Sequence, residues 1–231
     1  MRNRTNVVLM LLCFGRAGVG NAQDLVLKCD GSRQEDLALL GQAPLGATRI
    51  SKHHLRVNWS GGSRDFIDVP PYDEPLDGTR YSYCGYRSAL GMHLVYKASS
   101  GVSTGVLLED ATGKTTEAGE YVAFSRDKSK YFAAVQPDGL DGQEWYVYWR
   151  NGTRIWKGLS GITAVHGRLG YRYFSAVLEN PRWNLAGELE ATHACEAGRR
   201  KPGQRETTVT LTRSKGAWVW LPEVECPKVE P

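Results

Sequence analysis

EWYVYWRNGTRIWKG, residues 144–158, carries the strongest structural signal in the chain: two runs of alternating aromatic and polar residues meet at Asn151-Gly152. Asn-Gly suits the positive φ angles of a two-residue hairpin turn, so the segment predicts two antiparallel strands. Counting outward, Arg150 faces Thr153, Trp149 faces Arg154, Tyr148 faces Ile155 and Val147 faces Trp156. Trp145, Val147, Trp149 and Trp156 then share one face, the better core candidate. Tyr146 and Tyr148 alternate on the other with Glu144, Arg150 and Lys157.

The pattern recurs in TTVTLTRSKGAWVWLPE, residues 207–223. Read as a three-residue loop at Ser214-Lys215-Gly216, it groups Val209, Leu211, Val219 and Leu221. Trp218 and Trp220 then fall opposite Thr208, Thr210 and Thr212, on a ribbon lying between layers or showing aromatic surface to a partner. Short strands separated by turn signals, with almost no helix, give an all-β antiparallel meander or sandwich-like domain with one short N-terminal helix. A small or incomplete propeller-like fold is the alternative. GEYVAFSRDKSKYFAAV, Gly119 to Val135, resembles a strand–turn–strand element of β-propeller blades, with Arg126-Asp127-Lys128 in place of the usual Pro-Asp-Gly turn. No second copy recurs at blade spacing.

The helix is expected at SRQEDLALLG, where Ser32 and Glu35 have capping-box spacing and Gly41 ends the run. From Lys52 to Trp59, Leu55, Val57 and Trp59 alternate with His54, Arg56 and Asn58, as in a half-buried strand. A Ser60–Ser63 turn follows. Val69 to Gly78 holds three prolines and three acids and reads as an exposed loop before strand residues resume at Tyr81, Tyr83 and Tyr86.

Arg2 and Arg4 precede an apolar run from Val7 to Phe14 and a small-residue site at Gly20-Asn21-Ala22, the pattern of a secretory signal peptide cut after Ala22. No later segment approaches the roughly 20 apolar residues of a membrane-spanning helix. Cleavage removes three of the 29 basic residues and none of the 25 acidic ones, leaving a net charge of about +1 and one β-rich domain over residues 23–231. A periplasmic or secreted location follows, and with near-neutral charge it argues against nucleic acid as a partner. Cys29, Cys84, Cys195 and Cys226 remain, an even number that favours two disulfides. Three pairings are open; Cys29–Cys84 with Cys195–Cys226 brackets each end of the chain.

Catalytic patterns are weak. Gly101-Val102-Ser103-Thr104-Gly105 has the G-x-S-x-G form, but a strand-like VLLED follows where that nucleophile needs a helix, so Ser103 reads as a loop serine. His53, His54, His93, His166 and His193 are scattered, with His53 and His54 on opposite faces of a strand. The Asp138–Glu144 loop lacks the alternate-residue ligands of a calcium site. Glu109 with Asp110, or Glu188 with Glu190, have the composition of a glycosidase pair without its spacing signal. No cofactor or metal follows from the motifs.

Charge and aromatics point to binding instead. Asp68, Asp73, Glu74 and Asp77 make an acidic loop with few basic neighbours, and Arg199, Arg200, Lys201 and Arg205 a basic one. The expected function is an exported binding protein that engages an envelope or incoming protein, as an inhibitor or immunity factor does, through Tyr72, Asp73, Glu74 and Asp77. A glycan module stacking on Trp218 and Trp220 or on Tyr146 and Tyr148, and a cell-envelope hydrolase, are the alternatives.

Overall fold

A computed structural model describes residues 25–42, 45–72, 77–136, 142–161, 163–167, 170–174, 176–195 and 206–223. The expected signal segment, Asp73, Glu74, the Asp138–Asp141 stretch, the basic loop 199–205 and Cys226 lie outside them, as does the side chain of Cys195. After β1 (Val26–Lys28) and α1 (Arg33–Leu39) with its 3₁₀ extension Leu40–Gln42, every regular element among the described residues is a strand. β2 (Ala47–Ser51), β3 (His54–Trp59) and β4 (Gly62–Ile67) form a first antiparallel sheet. β5 (Thr79–Arg87), β6 (Met92–Ser99), β7 (Val102–Glu109) and β8 (Thr115–Ala118) form a second. β9 (Tyr121–Phe124), β10 (Lys130–Val135), β11 (Gly142–Trp149) and β12 (Arg154–Gly161) form a third, with β1 added alongside β9. β13 (Thr163–Gly167) pairs with β14 (Gly170–Phe174). β15 (Ala176–Trp183), β16 (Leu189–Cys195), β17 (Thr207–Ser214) and β18 (Ala217–Leu221) form a last sheet.

Each meander stacks on the next, and alternation along the strands explains how. Leu55, Val57 and Phe66 of the first sheet meet Tyr83, Val95 and Leu108 of the second. The intervening residues Leu94, Tyr96 and Leu107 point the other way, onto Val122, Tyr131, Ala133 and Tyr148 of the third. Phe132, Ala134, Trp145 and Val147 then face Ala191, Val209 and Leu211 of the last. The two middle sheets are thus apolar on both faces, as strands covered on both sides must be. The sheets follow one another in chain order, as propeller blades do, without closing into a barrel.

Both hairpin registers differ from the sequence expectation. The loop after β11 has three residues, Arg150 to Gly152, with Gly152 at φ 90° and Trp149 N–H donating to Thr153 O at 2.9 Å. Val147 still faces Trp156, but Tyr148 faces Arg154, because Ile155 is bulged out of the ladder. Arg150 is drawn aside by the second sheet, its Nη2 donating to Leu90 O and to Glu109 Oε1. Both faces of β11 are therefore core: Tyr148 is 4% exposed and Trp149, expected inside, 48%. In the last hairpin the loop is the two-residue one, with Lys215 at φ 49° and Gly216 at φ 85°, so Ser214 faces Ala217 and Leu211 faces Trp220. That one-residue difference turns Trp220 inward and sends Leu221 out.

The N-terminal helix begins as expected: Ser32 Oγ accepts from Glu35 N–H. Glu35, however, reaches Asp30 N–H rather than Ser32 N–H, and Gly41 lies inside the 3₁₀ turn instead of ending the helix. Cys29 and Cys84 form a disulfide, Cα atoms 5.2 Å apart, tying β1 to β5. The blade-like turn is also present. Asp127 accepts from Ser125 Oγ and from both Oγ and N–H of Ser129, bonds that hold its carboxyl down to about 2. No helix among the described residues is long and apolar enough to cross a membrane.

Candidate functional site

β5 is the edge of the second sheet, and its outward backbone groups need partners that no strand supplies. Carboxylates from two distant segments provide them. Asp36 of α1, wholly buried, accepts from Tyr83 N–H at 2.6 Å, and Asp68 accepts from Tyr81 N–H at 2.8 Å. Arg49 of β2 completes the junction: Nε donates to Asp36 Oδ2 at 2.9 Å and Nη2 to Tyr81 O at 2.6 Å. Asp68 Oδ2 lies 3.2 Å from His53 Nδ1, and the His53 ring is stacked on Tyr72 at 3.7 Å.

Arg49, His53, Asp68 and Tyr72 of this junction line a cavity of about 370 Å³ together with Arg33, Lys52 and Arg80, among others. Arg33 donates to Lys52 O and Arg80 to Gly31 O, both backbone carbonyls. Arg33, Lys52 and Arg80 form no ion pair among the described residues, whereas Arg49 is paired with Asp36. Such a cavity attracts oxyanions and repels cations. A larger cleft, about 690 Å³, lies beside β1 and β15, but its charges balance, with Lys28 and Arg182 against Asp30 and Glu120.

Asp68 is buried, and Tyr72 and Gly78, described residues on either side of the acidic stretch, line the cavity together with Arg33, Arg49, Lys52 and Arg80. Tyr72 is 49% exposed and Asp77 also faces outward, while Asp73 and Glu74 lie outside the described residues. Trp218, on the last sheet, is 39% exposed. Trp220 packs edge-on against Trp145 and Trp156 in the third core cluster. Of the two loci suggested by sequence, Tyr72 and Asp77 lie in the connection between β4 and β5, and Trp218 and Trp220 lie on the last sheet. Tyr146 is half-buried and hydrogen-bonded to Glu144, and with Tyr148 in the core the tyrosine pair forms no platform.

The catalytic patterns dissolve into structure. Ser103 stands on β7 and not in a loop, its Oγ bonded to Tyr96 Oη at 2.7 Å. Gly101 takes φ 73° in a turn, and a Cβ on Gly105 would sit 2.3 Å from Gly119 O, so both motif glycines have conformational reasons. Glu109 binds Arg150 and Thr112, and Asn184 Nδ2 donates to both Glu188 and Glu190. His53 lies in the β2–β3 turn, not on the strand, and His54 faces Asp65 at 3.1 Å. His166 is on β13. Cys29, Cys84 and Glu35 group as metal-ligand types, but their sulfurs are joined and offer no thiolate.

Sequence reasoning also passed over an array of three. Tyr83 Oη is 2.9 Å from His93 Nδ1, and His93 Nε2 is 3.5 Å from Asp110 Oδ1. Burial pushes the imidazole below its ordinary range against the pull of Asp110, and pushes the Tyr83 phenol up. His93 and Tyr83 are fully buried, and the array ties β5, β6 and the end of β7 together within the second sheet. No family model, curated protein or solved structure matches this chain.

Proposed function

We propose that this chain is an exported, non-catalytic binding protein that receives an acidic segment of a partner protein at the cavity between Arg33, Lys52, Arg80 and Tyr72. The observation that carries this reading is the convergence of Arg33, Lys52 and Arg80, unpaired among the described residues, with Arg49 on one concavity that an exposed tyrosine, Tyr72, also lines. Tyrosine and arginine are among the residue types enriched at the hot spots of protein interfaces. The Cys29–Cys84 disulfide and the basic, apolar and small-residue order of the first 22 residues support export, which fits an envelope or incoming protein as partner. The oxidised protein, immobilised and exposed to an envelope extract, is expected to retain a stoichiometric protein whose capture weakens with salt and is lost with Lys52→Glu/Arg80→Glu. Capture that survives the charge reversal overturns the reading. A glycan module has one supporting observation, the exposure of Trp218; carbohydrate retention abolished by Trp218→Ala would favour it.

A further inference from the structure

At the end of the stack away from the cavity, the last sheet stops at β18, and among the described residues no strand pairs with its outer edge. Because Lys215 and Gly216 form a two-residue turn, Ser214 and Ala217 are the hydrogen-bonded pair that closes the hairpin. Alternation along the ladder then turns the backbone groups of Ala217, Val219 and Leu221 toward β17 and leaves the N–H and C=O of Trp218 and Trp220 facing outward. Among the described residues no backbone hydrogen bond outside the ladder uses them. Such an edge is a template for another strand, and folded proteins commonly guard it with charge. Every other edge strand of the four larger sheets carries at least one Lys, Arg, Asp or Glu, whereas AWVWL, Ala217–Leu221, carries none. Trp218 and Leu221 are exposed along it.

We infer that β18 is a self-association edge: two copies of the protein add β18 to β18, antiparallel about a two-fold axis at Val219, and join their four-stranded last sheets into one continuous sheet. In that register Trp218 of each copy stands opposite Trp220 of the other. Each outward N–H then finds the carbonyl opposite it, and the indoles form two cross-strand aromatic pairs. Charge at the two ends of the edge selects a second copy as the occupant. Lys215 stands in the turn before the strand and Glu223 just after it, both exposed and neither in an ion pair among the described residues. Antiparallel pairing brings the lysine end of one copy to the glutamate end of the other, twice, and the uncharged middle offers no repulsion. An edge of five residues is a small interface, so the pairing is reversible. It is independent of the proposed function and leaves the cavity of each copy open.

The test is sedimentation equilibrium of the oxidised protein, from micromolar concentration to about 1 mM, and a reversible monomer–dimer equilibrium is expected. Val219→Lys sets two like charges across the axis and should weaken dimerisation at least about thirtyfold, with an unchanged circular dichroism spectrum. Lys215→Glu and Glu223→Lys should each weaken it about tenfold, and the double variant Lys215→Glu/Glu223→Lys should recover the original affinity. That rescue requires the two ends to meet, as only the antiparallel register allows. A dimer that Val219→Lys leaves intact, or a charge exchange that fails to rescue, overturns the pairing. A monomer at every concentration also overturns it: Trp218 and Trp220 amides protected from hydrogen exchange then mean that another segment of the chain covers the edge, and unprotected amides mean that it is bare.

Discussion

Asp36 is a buried charge that holds three segments together. It joins α1 to β2 through Arg49 and to β5 through Tyr83 N–H, and it has no access to water. Asp36→Asn leaves Arg49 buried without a counter-charge, and the expected loss is about 3–5 kcal/mol in denaturant unfolding. Arg56→Gln, which breaks the exposed Arg56–Asp65 pair, should barely move the same midpoint. His93 gives a pH signature. Its folded pKa lies below the ordinary 6.5, so the unfolded chain takes up a proton that the folded one refuses. Stability from this neutral imidazole is complete above about pH 6.5 and is lost as pH falls through the lower folded value. Unfolding midpoints measured between about pH 5 and 8 should fall on the acid side, and less so in His93→Gln, where His193, also depressed by burial, still contributes in the same direction. None of these roles was legible in the sequence. Asp36 sits in an amphipathic helical run and Asp68 in an acid-rich one, and their partners, Tyr83 and Tyr81, lie 47 and 13 residues away.

At the level of elements, the strands and both hairpins were legible because period-two alternation and glycine turns are local signals. Loop length was not. Asn151-Gly152 has the composition of a two-residue turn, but Arg150 is held by the second sheet and joins the loop. Lys215 takes φ 49°, a conformation its residue type does not announce. Because one residue of slip exchanges the faces of a strand, Tyr148 and Trp220 were assigned to the wrong environments, and with them the candidate stacking platforms. The geometry separates two kinds of glycine. Gly216→Ala meets no neighbour and should cost about 1 kcal/mol for its positive φ alone. Gly105→Ala drives a Cβ into the Gly119 carbonyl where the second and third sheets approach, and should cost about 1–3 kcal/mol, again by denaturant midpoint.

Across the whole molecule, four meanders stack in chain order and share three core clusters, so the first sheet reaches the last only through the two between. The cavity lies near one end of this stack, where α1, the first sheet and the edge of the second meet. The Cys29–Cys84 bridge holds that corner across 55 residues, and the pairing itself was foreseen from the order of the cysteines. Cys29→Ala/Cys84→Ala is expected to lower stability by about 4 kcal/mol on the chain-entropy model. It should also weaken partner capture, since Gly31, two residues beyond the bridge, accepts from Ser82 and Arg80 on the cavity wall. The cavity itself was not legible, because Arg33, Arg49, Lys52 and Arg80 are separated in the sequence by strands and turns and converge only on folding. The most direct test is to map, by amide and arginine resonance shifts, where the captured partner touches the oxidised protein. Shifts concentrated at Arg33, Arg49, Tyr72, Thr79 and Arg80 are the predicted result. Shifts centred on Trp218 and the β17–β18 hairpin, with the cavity silent, would contradict it.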